Sequence, residues 1–401
     1  NQVLLVGLEL LSHEVIQVKH AGTVFDVVFS PKGKWIASSS NDGTARIWET
    51  ETGQLVSEMT HEDAVSDVAF NHDGSWVASG SGDGTVRIWE VETGQLVSEM
   101  MHEEAVNDVA FSPDGNWIAS GGDDGKMQIW EAKTGQLIYQ LKYDDTVGDI
   151  TFSADGRWII YSSGDIVQIS EVNTGYEAMH VVHEGGVNVT AFGPNGRLAA
   201  FGGVDGTTLI WDIQTGYEVL QIAHKNATMD IAFSSDGKLL ASGSADGTVQ
   251  VLEVETGREV AQMTHEGVVT VVDFSPNGLW VASGSSDNTA RVWEAETGRE
   301  IARTKHQDWV WGIAFSPDGH RVVSSGADGT VRIWTVNIER EAMQVPHRNE
   351  HSIETIAFSP NGRWGASGSG GPLQQNGMLQ IWEVETGIKV MGIEQDYDYA
   401  V

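Results

Sequence analysis

Histidine is the residue type with the most chemistry to offer in this chain. There are 13 histidines, and eight fall at or near one repeated position, among them His20, His61, His102, His265 and His306. An imidazole serves as a general base, a metal ligand or a buried hydrogen-bond bridge. Zinc chemistry needs a His-Glu-x-x-His helix or a Cys/His set. The sequence has neither, and cysteine is absent, which also excludes disulfide and thiol chemistry. No metal site is expected. Acidic pairs such as Asp123-Asp124 lack the spacing of a calcium loop and read as turns. Glu51, Glu92, Glu255, Glu296 and Glu385 recur beside a Thr-Gly turn and read as a solvated acidic rim. A catalytic carboxylate pair needs one member in an apolar pocket, and the repetition singles out no two. A Gly-x-Ser-x-Gly elbow and a phosphate loop are also missing. The expectation is a protein that is not an enzyme and uses no cofactor.

The elements that carry these residues recur with a fixed period. Trp48, Trp89, Trp130, Ser170, Trp211, Leu252, Trp293, Trp334 and Trp382 follow one another at steps of 41, 41, 40, 41, 41, 41, 41 and 48 residues. Such a period means a stacked or circular array in which neighbours cover each other's apolar faces. One unit shows the pattern. Residues 65–70 (Val-Ser-Asp-Val-Ala-Phe) form a short strand, and Asn71-His72-Asp73-Gly74 is a turn that reads Ser-Pro-Asp-Gly elsewhere. Trp76–Ser79 is a second strand and Thr85–Trp89 a third, β-branched and alternating. Gln95–Met100 is a fourth. Four antiparallel strands joined by short turns make one propeller blade.

The unit resembles the WD40 repeat, and the likeness covers roughly residues 14–393. The resemblance implies an all-β propeller of four-stranded antiparallel blades. It also implies a hydrogen-bonded tetrad in a blade, made here by His61, Ser79, Asp83 and Trp89. The same set recurs as His20, Ser38, Asp42, Trp48 and as His102, Ser120, Asp124, Trp130. It recurs again as His265, Ser283, Asp287, Trp293 and as His306, Ser324, Asp328, Trp334. An imidazole between a hydroxyl and a carboxylate satisfies polar groups that would otherwise be buried unpaired. The usual Trp-Asp ending is mostly Trp-Glu, and Thr60 or Lys305 stands where Gly usually precedes the His. The fourth unit departs with Tyr143 and Ser170, and the sixth with Leu252. The ninth carries an inserted stretch, Gly371 to Gly377.

Nine blades in one ring are expected, spanning 1–401 as a single domain, with 1–19 and 388–401 as closing or extra strands. Residues 3–19 align with strands c and d of a preceding unit, and 388–393 also read as a strand d, so one d strand is in excess. A seven- or eight-blade ring with spare units, or a piece of a longer array, remains open. The formal net charge of −34, from 57 acidic and 23 basic residues, repels phosphate backbones and anionic lipid. No apolar run reaches the roughly 18–20 residues of a spanning helix. Nucleic acid and membrane are not expected as partners, and a monomeric cytoplasmic ring is.

Two positions vary while the scaffold repeats. Three residues after the His stand Thr23, Ala64, Ala105, Thr146, Gly186, Ala227, Val268 and Trp309. Five after it stand Phe25, Ser66, Asn107, Gly148, Asn188, Met229, Thr270 and Trp311. In WD-repeat propellers this stretch opens on the top face, so a recognition surface is expected there. Phe25, Trp309 and Trp311 are its anchors, with Met229, Asn107, Asn188, Arg348, His351, Gln374 and Gln375 as further candidates. In a nine-blade ring the aromatics flank the ninth blade and its insertion. The resemblance implies a protein-interaction scaffold or sensor within a larger multidomain protein, taking a protein or peptide, and the charge favours a basic one. Two alternatives remain: a purely architectural repeat, amplified or engineered, without a selected partner; and a small-ligand or enzymatic site in the channel.

Overall fold

The computed structural model describes residues 13–183 and 185–336, and four strands of the ninth unit; for those strands and for residues 13–15 it describes the backbone alone. Strand β1 is His13–Lys19. Blade one is β2 (Val24–Phe29), β3 (Trp35–Ser40), β4 (Thr44–Glu49) and β5 (Leu55–Thr60). Blade two is β6 (Val65–Phe70), β7 (Trp76–Ser81), β8 (Thr85–Glu90) and β9 (Leu96–Met101). Blade three is β10 (Val106–Phe111), β11 (Trp117–Gly122), β12 (Lys126–Glu131) and β13 (Gln136–Lys142). Blade four is β14 (Val147–Phe152), β15 (Trp158–Ser163), β16 (Ile166–Glu171) and β17 (Glu177–Val182). Blade five is β18 (Val187–Phe192), β19 (Leu198–Gly203), β20 (Thr207–Asp212) and β21 (Tyr217–Ala223). Blade six is β22 (Thr228–Phe233), β23 (Leu239–Ser244), β24 (Thr248–Glu253) and β25 (Glu259–Thr264). Blade seven is β26 (Val269–Phe274), β27 (Trp280–Ser285), β28 (Thr289–Glu294) and β29 (Glu300–Lys305). Then come β30 (Val310–Phe315), β31 (Arg321–Gly326) and β32 (Thr330–Thr335). The ninth unit supplies β33 (Ile353–Phe358), β34 (Trp364–Ser369), β35 (Asn376–Glu383) and β36 (Lys389–Asp396).

Each strand's composition matches its depth. The second strand of a blade is enclosed on both faces, so it is built of small residues: in β7, Val77 to Ser81 are all buried. A Cβ on Gly80 would stand 2.9 Å from Val106 Cγ1 of the next blade, so glycine sets how closely the blades approach. The fourth strand alternates instead. In β9, Ser98 and Met100 are buried while Leu96, Glu99 and Met101 face water, as an edge strand packed on one side requires. The turn before the third strand needs a left-handed residue: Gly84 has φ 81°, and Asn288 takes the same place in blade seven with φ 71°. The apolar core is shared between blades. Ala37, Ile47 and Met59 of blade one pack with Val65, Val68, Val77 and Trp89 of blade two.

The ring closes with eight blades, not nine. β1 pairs antiparallel with β32, from His13 opposite Thr335 to Lys19 opposite Thr330. It thereby becomes the outer strand of a sheet ordered β1-β32-β31-β30, which is blade eight. β2 then packs directly against β30. Val24, Val27, Ile36 and Trp48 of blade one share a cluster with Val18, Val323, Val331 and Ile333 of blade eight. Strands β33 to β36 form a four-stranded sheet of their own, within a second compact unit, 338–401. The expected nine-blade ring is corrected to eight blades. The reason is physical: closure depends on which d-type strand takes the free edge of β32, and a repeat period is silent on that choice.

Candidate functional site

Five blades hold the tetrad in one geometry. In blade two, His61 Nε2 lies 2.7 Å from Ser79 Oγ, and Nδ1 lies 3.3 Å from Asp83 and 3.0 Å from Thr85 Oγ1. Trp89 Nε1 donates to Ser79 Oγ at 2.9 Å. In blade one, His20 meets Ser38 at 2.7 Å and Asp42 at 3.4 Å, and Trp48 donates to Ser38 at 2.8 Å. In blade three, His102 meets Ser120 at 2.8 Å and Asp124 at 3.0 Å, and Trp130 donates to Ser120 at 2.9 Å. Blades seven and eight repeat it through His265, Ser283, Asp287, Trp293 and through His306, Ser324, Asp328, Trp334.

The donor order follows from the partners. A carboxylate only accepts, so Nδ1–H donates to the Asp and Nε2 accepts from the serine hydroxyl, which itself accepts from the indole. Burial pushes the imidazoles of His20 and His61 down to about 4, so both are neutral. Burial pushes the Asp83 carboxyl up, but hydrogen bonds from Thr85 and the Glu62 amide outweigh it and hold the group at about 2. The tetrads are a structural network with no open face for a substrate.

Blade six lacks the indole: His224 still meets Ser242 at 2.8 Å, beside Leu252. Blade four replaces the network with a Tyr143–Tyr161 hydroxyl pair at 2.7 Å, which reaches Ser170 at 3.3 Å. Blade five also departs. Phe201 occupies the hydroxyl position and stacks on Trp211 with centroids 6.5 Å apart, and Trp211 Nε1 is buried without a partner. Phe201 four residues before Asp205 was the sequence signal for that loss.

The variable positions divide by what the structure does with them. Phe25, Trp309 and Trp311 are exposed, at 36%, 44% and 36%. The two indoles lie 5.5 Å apart with planes tilted by 45°. Phe25 lies on β2 and Trp311 on β30, equivalent positions of adjacent strands, so no blade separates them. Asn107 Nδ2 instead donates to Asp123 at 2.9 Å and to the Val147 carbonyl at 3.3 Å. Asn188 Nδ2 donates to the Thr228 carbonyl at 2.9 Å. Both amides tie neighbouring blades. Met229 is half-buried on blade six, away from the aromatic sector. Arg348, His351, Gln374 and Gln375 lie outside the described residues, as does most of the 371–377 insertion.

A second recurrent feature had a plain sequence signal six residues after the His, or after Tyr143 in blade four: Asp26, Asp67, Asp108, Asp149 and Asp230. These carboxyls lie deep on the inner strands and, with Asp273, form a belt. Asp67 accepts the Val109 amide at 3.1 Å, and Asp230 accepts the Val272 amide at 2.7 Å. Burial raises Asp26 and Asp67, and the neighbouring carboxyls, Asp67 for the first and Asp108 for the second, raise them further because like charges disfavour ionisation. Burial raises all six, Asp108 and Asp273 to about 7 and Asp230 to about 8.

On the opposite rim two hollows of about 430 Å³ and about 300 Å³ flank the Lys32-Gly33-Lys34 turn. Both are lined by side chains of both signs, including Lys34, Asp73, Glu92, Asp318 and Arg321. Among the described residues no group of His, Asp or Glu could hold a metal ion, and no helix is long and apolar enough to cross a membrane.

Ring, four-stranded blades and tetrads define a β-propeller of the repeat type. The chain belongs to the WD40 family (WD domain, G-beta repeat), whose model matches residues 13–49, 53–90, 94–131, 177–212, 217–252, 257–294, 299–335 and 343–383. The unmatched stretch between 131 and 177 holds the tyrosine pair of blade four. The chain is similar to the crystal structure of the computationally designed Ika8 protein. There the identity is 30%, the TM-score is 0.73, and 80% of this chain and 99% of that one are covered. It is also similar in fold to Chaetomium thermophilum Sqt1 bound to the N-terminus of the ribosomal protein L10. That identity is 20% and the TM-score 0.74, covering 81% of this chain and 100% of that one. Comparison with curated proteins gives no match.

Proposed function

We propose that the ring is a non-enzymatic interaction module that takes an extended, basic segment of a partner protein on its top face. The observation that carries this reading is the exposed pair Trp309–Trp311 beside Phe25 on the neighbouring blade. Exposed aromatics are enriched among binding anchors because they bury much area at little entropic cost. They would take apolar side chains of the guest. The surrounding field favours a cationic one: net charge is −34, and Glu62, Asp63, Glu103, Glu104 and Asp308 project from the loops of the same rim. Such a field raises the on-rate and makes it sensitive to salt. A propeller of the same fold, Sqt1, is bound to a segment of a ribosomal protein, which supports the mode of binding but names no partner here. The test is capture of a defined partner by the wild-type chain and by Trp309→Ala/Trp311→Ala. Loss of recovery in the double variant is expected. Equal recovery would leave the rings as channel filling and end this reading.

A further inference from the structure

The eight junctions between blades are not held alike. At five of them a carboxyl on one inner strand accepts an amide of the next: Asp67 from Val109, Asp108 from Ile150, Asp149 from Thr190, Asp230 from Val272 and Asp273 from Phe315. Between blades one and two Ser39 Oγ donates to the Ser66 carbonyl at 3.3 Å. Blade five has Val189 at this position. There Asn188 reaches the Thr228 carbonyl at 2.9 Å and Thr208 bonds the Thr228 hydroxyl at 3.1 Å, so polar side chains still cross to blade six.

Between blade eight and blade one the residue is Gly312, and the threonine of blade five is replaced by Val331. Gly312 pairs in register with Ser325, whereas Asp67, Asp108 and Asp230 pair with Gly80, Gly121 and Gly243. Ser325 Oγ is fully buried and has no hydrogen-bond partner. A Cβ on Gly312 would lie 2.7 Å from that oxygen and 3.2 Å from the Val27 amide nitrogen. The Val27 amide stands beside Gly312, but Ser325 Oγ occupies the space that a longer side chain would need, and no carboxyl is there to accept. The same junction is the one closed by strand pairing, through β1, and not by a blade-to-blade chain link. An Arg321–Glu51 ion pair crosses it at the rim at 2.8 Å, but Glu51 is 73% exposed, and such pairs contribute little.

We propose that the junction of blades eight and one is the release seam of the ring. Opening begins there, as β1 lifts from β32 and β30 parts from β2. Sub-global opening follows the least-held boundary, and here apolar packing, β1 and the half-exposed rim contacts of Arg321 and Arg46 hold it, with no carboxyl-to-amide tie between the inner strands. This goes beyond the partner reading and does not depend on it. The two meet in one consequence: a guest seated across Phe25 and Trp311 binds only the closed ring and holds the seam shut.

Native-state hydrogen exchange on the intact chain tests it. Segments 24–29 and 310–315 should exchange roughly ten-fold or more faster than 228–233 and 269–274 at the tied junction of blades six and seven, the factor that one buried hydrogen bond sets. The variant Gly312→Asp/Ser325→Gly installs the Asp–Gly pair of blades two, three and six. It should slow exchange at the seam by a similar factor and leave 228–233 unchanged. Equal protection at the two junctions would overturn the proposal. So would fast exchange confined to 13–19, which is fraying of a terminal strand. Should the double variant fail to fold, the wild-type comparison decides alone. None of these outcomes bears on whether Trp309 and Trp311 bind a partner.

Discussion

The side chains that repeat most faithfully act on one another, and those that break the repeat are the ones left facing water. Trp89 shows the first kind. It is 9% exposed, donates to Ser79 and meets the His61 ring edge-on at 6.1 Å. Trp89→Ala removes a large buried ring and a donor, so a loss of about 3–5 kcal/mol is expected. Urea unfolding would measure it, and a loss below about 1 kcal/mol would mean that the blade collapses around the gap. The converse change is available in blade six. Ser242 and His224 are in place and only the indole is missing, so Leu252→Trp should fold and hold or raise the unfolding midpoint. The tetrads were legible because His, Ser, Asp and Trp recur at constant spacing. Blade five was not read, because its His183 and Trp211 fit the pattern and the intruding Phe201 lies between them.

At the scale of the strands, the inner ones carry a titrating belt that ties blade to blade. Its six carboxyls keep their protons to a higher pH in the folded ring than the unfolded value of about 4 allows. Folding therefore takes up protons, and stability falls as pH rises through the folded values of about 7 to 8. The buried histidines run the other way. Their depressed values give stability that is present above about 6.5 and lost as pH falls toward 4. Between about pH 8.5 and 6.5 only the belt titrates, so the thermal midpoint should rise on acidification in that window. Asp230→Asn should flatten the rise. A midpoint that falls over the same interval would contradict the assignment. Strand positions were plain in the sequence, since apolar alternation and Gly-bearing turns recur in every unit. The belt was equally visible as a recurrent Asp. Its meaning was not, because the partner amide lies some 42 residues away on another blade.

For the molecule as a whole, the number of blades is the point on which sequence and structure part. Nine units are countable, yet eight close, because β1 occupies the edge of β32. That closure sets blades eight and one side by side and so places Phe25 next to the strand that bears Trp311. A repeat fixes what each blade looks like and leaves open where the circle ends. One measurement tests this most directly. Gln17 and Arg332 face each other across β1 and β32, and the chain has no cysteine of its own. In an antiparallel pair this separation suits a disulfide. The variant Gln17→Cys/Arg332→Cys should therefore cross-link within the monomer on mild oxidation and raise the unfolding temperature. Two free thiols after oxidation of the folded protein would contradict an eight-blade ring closed by its N-terminal strand.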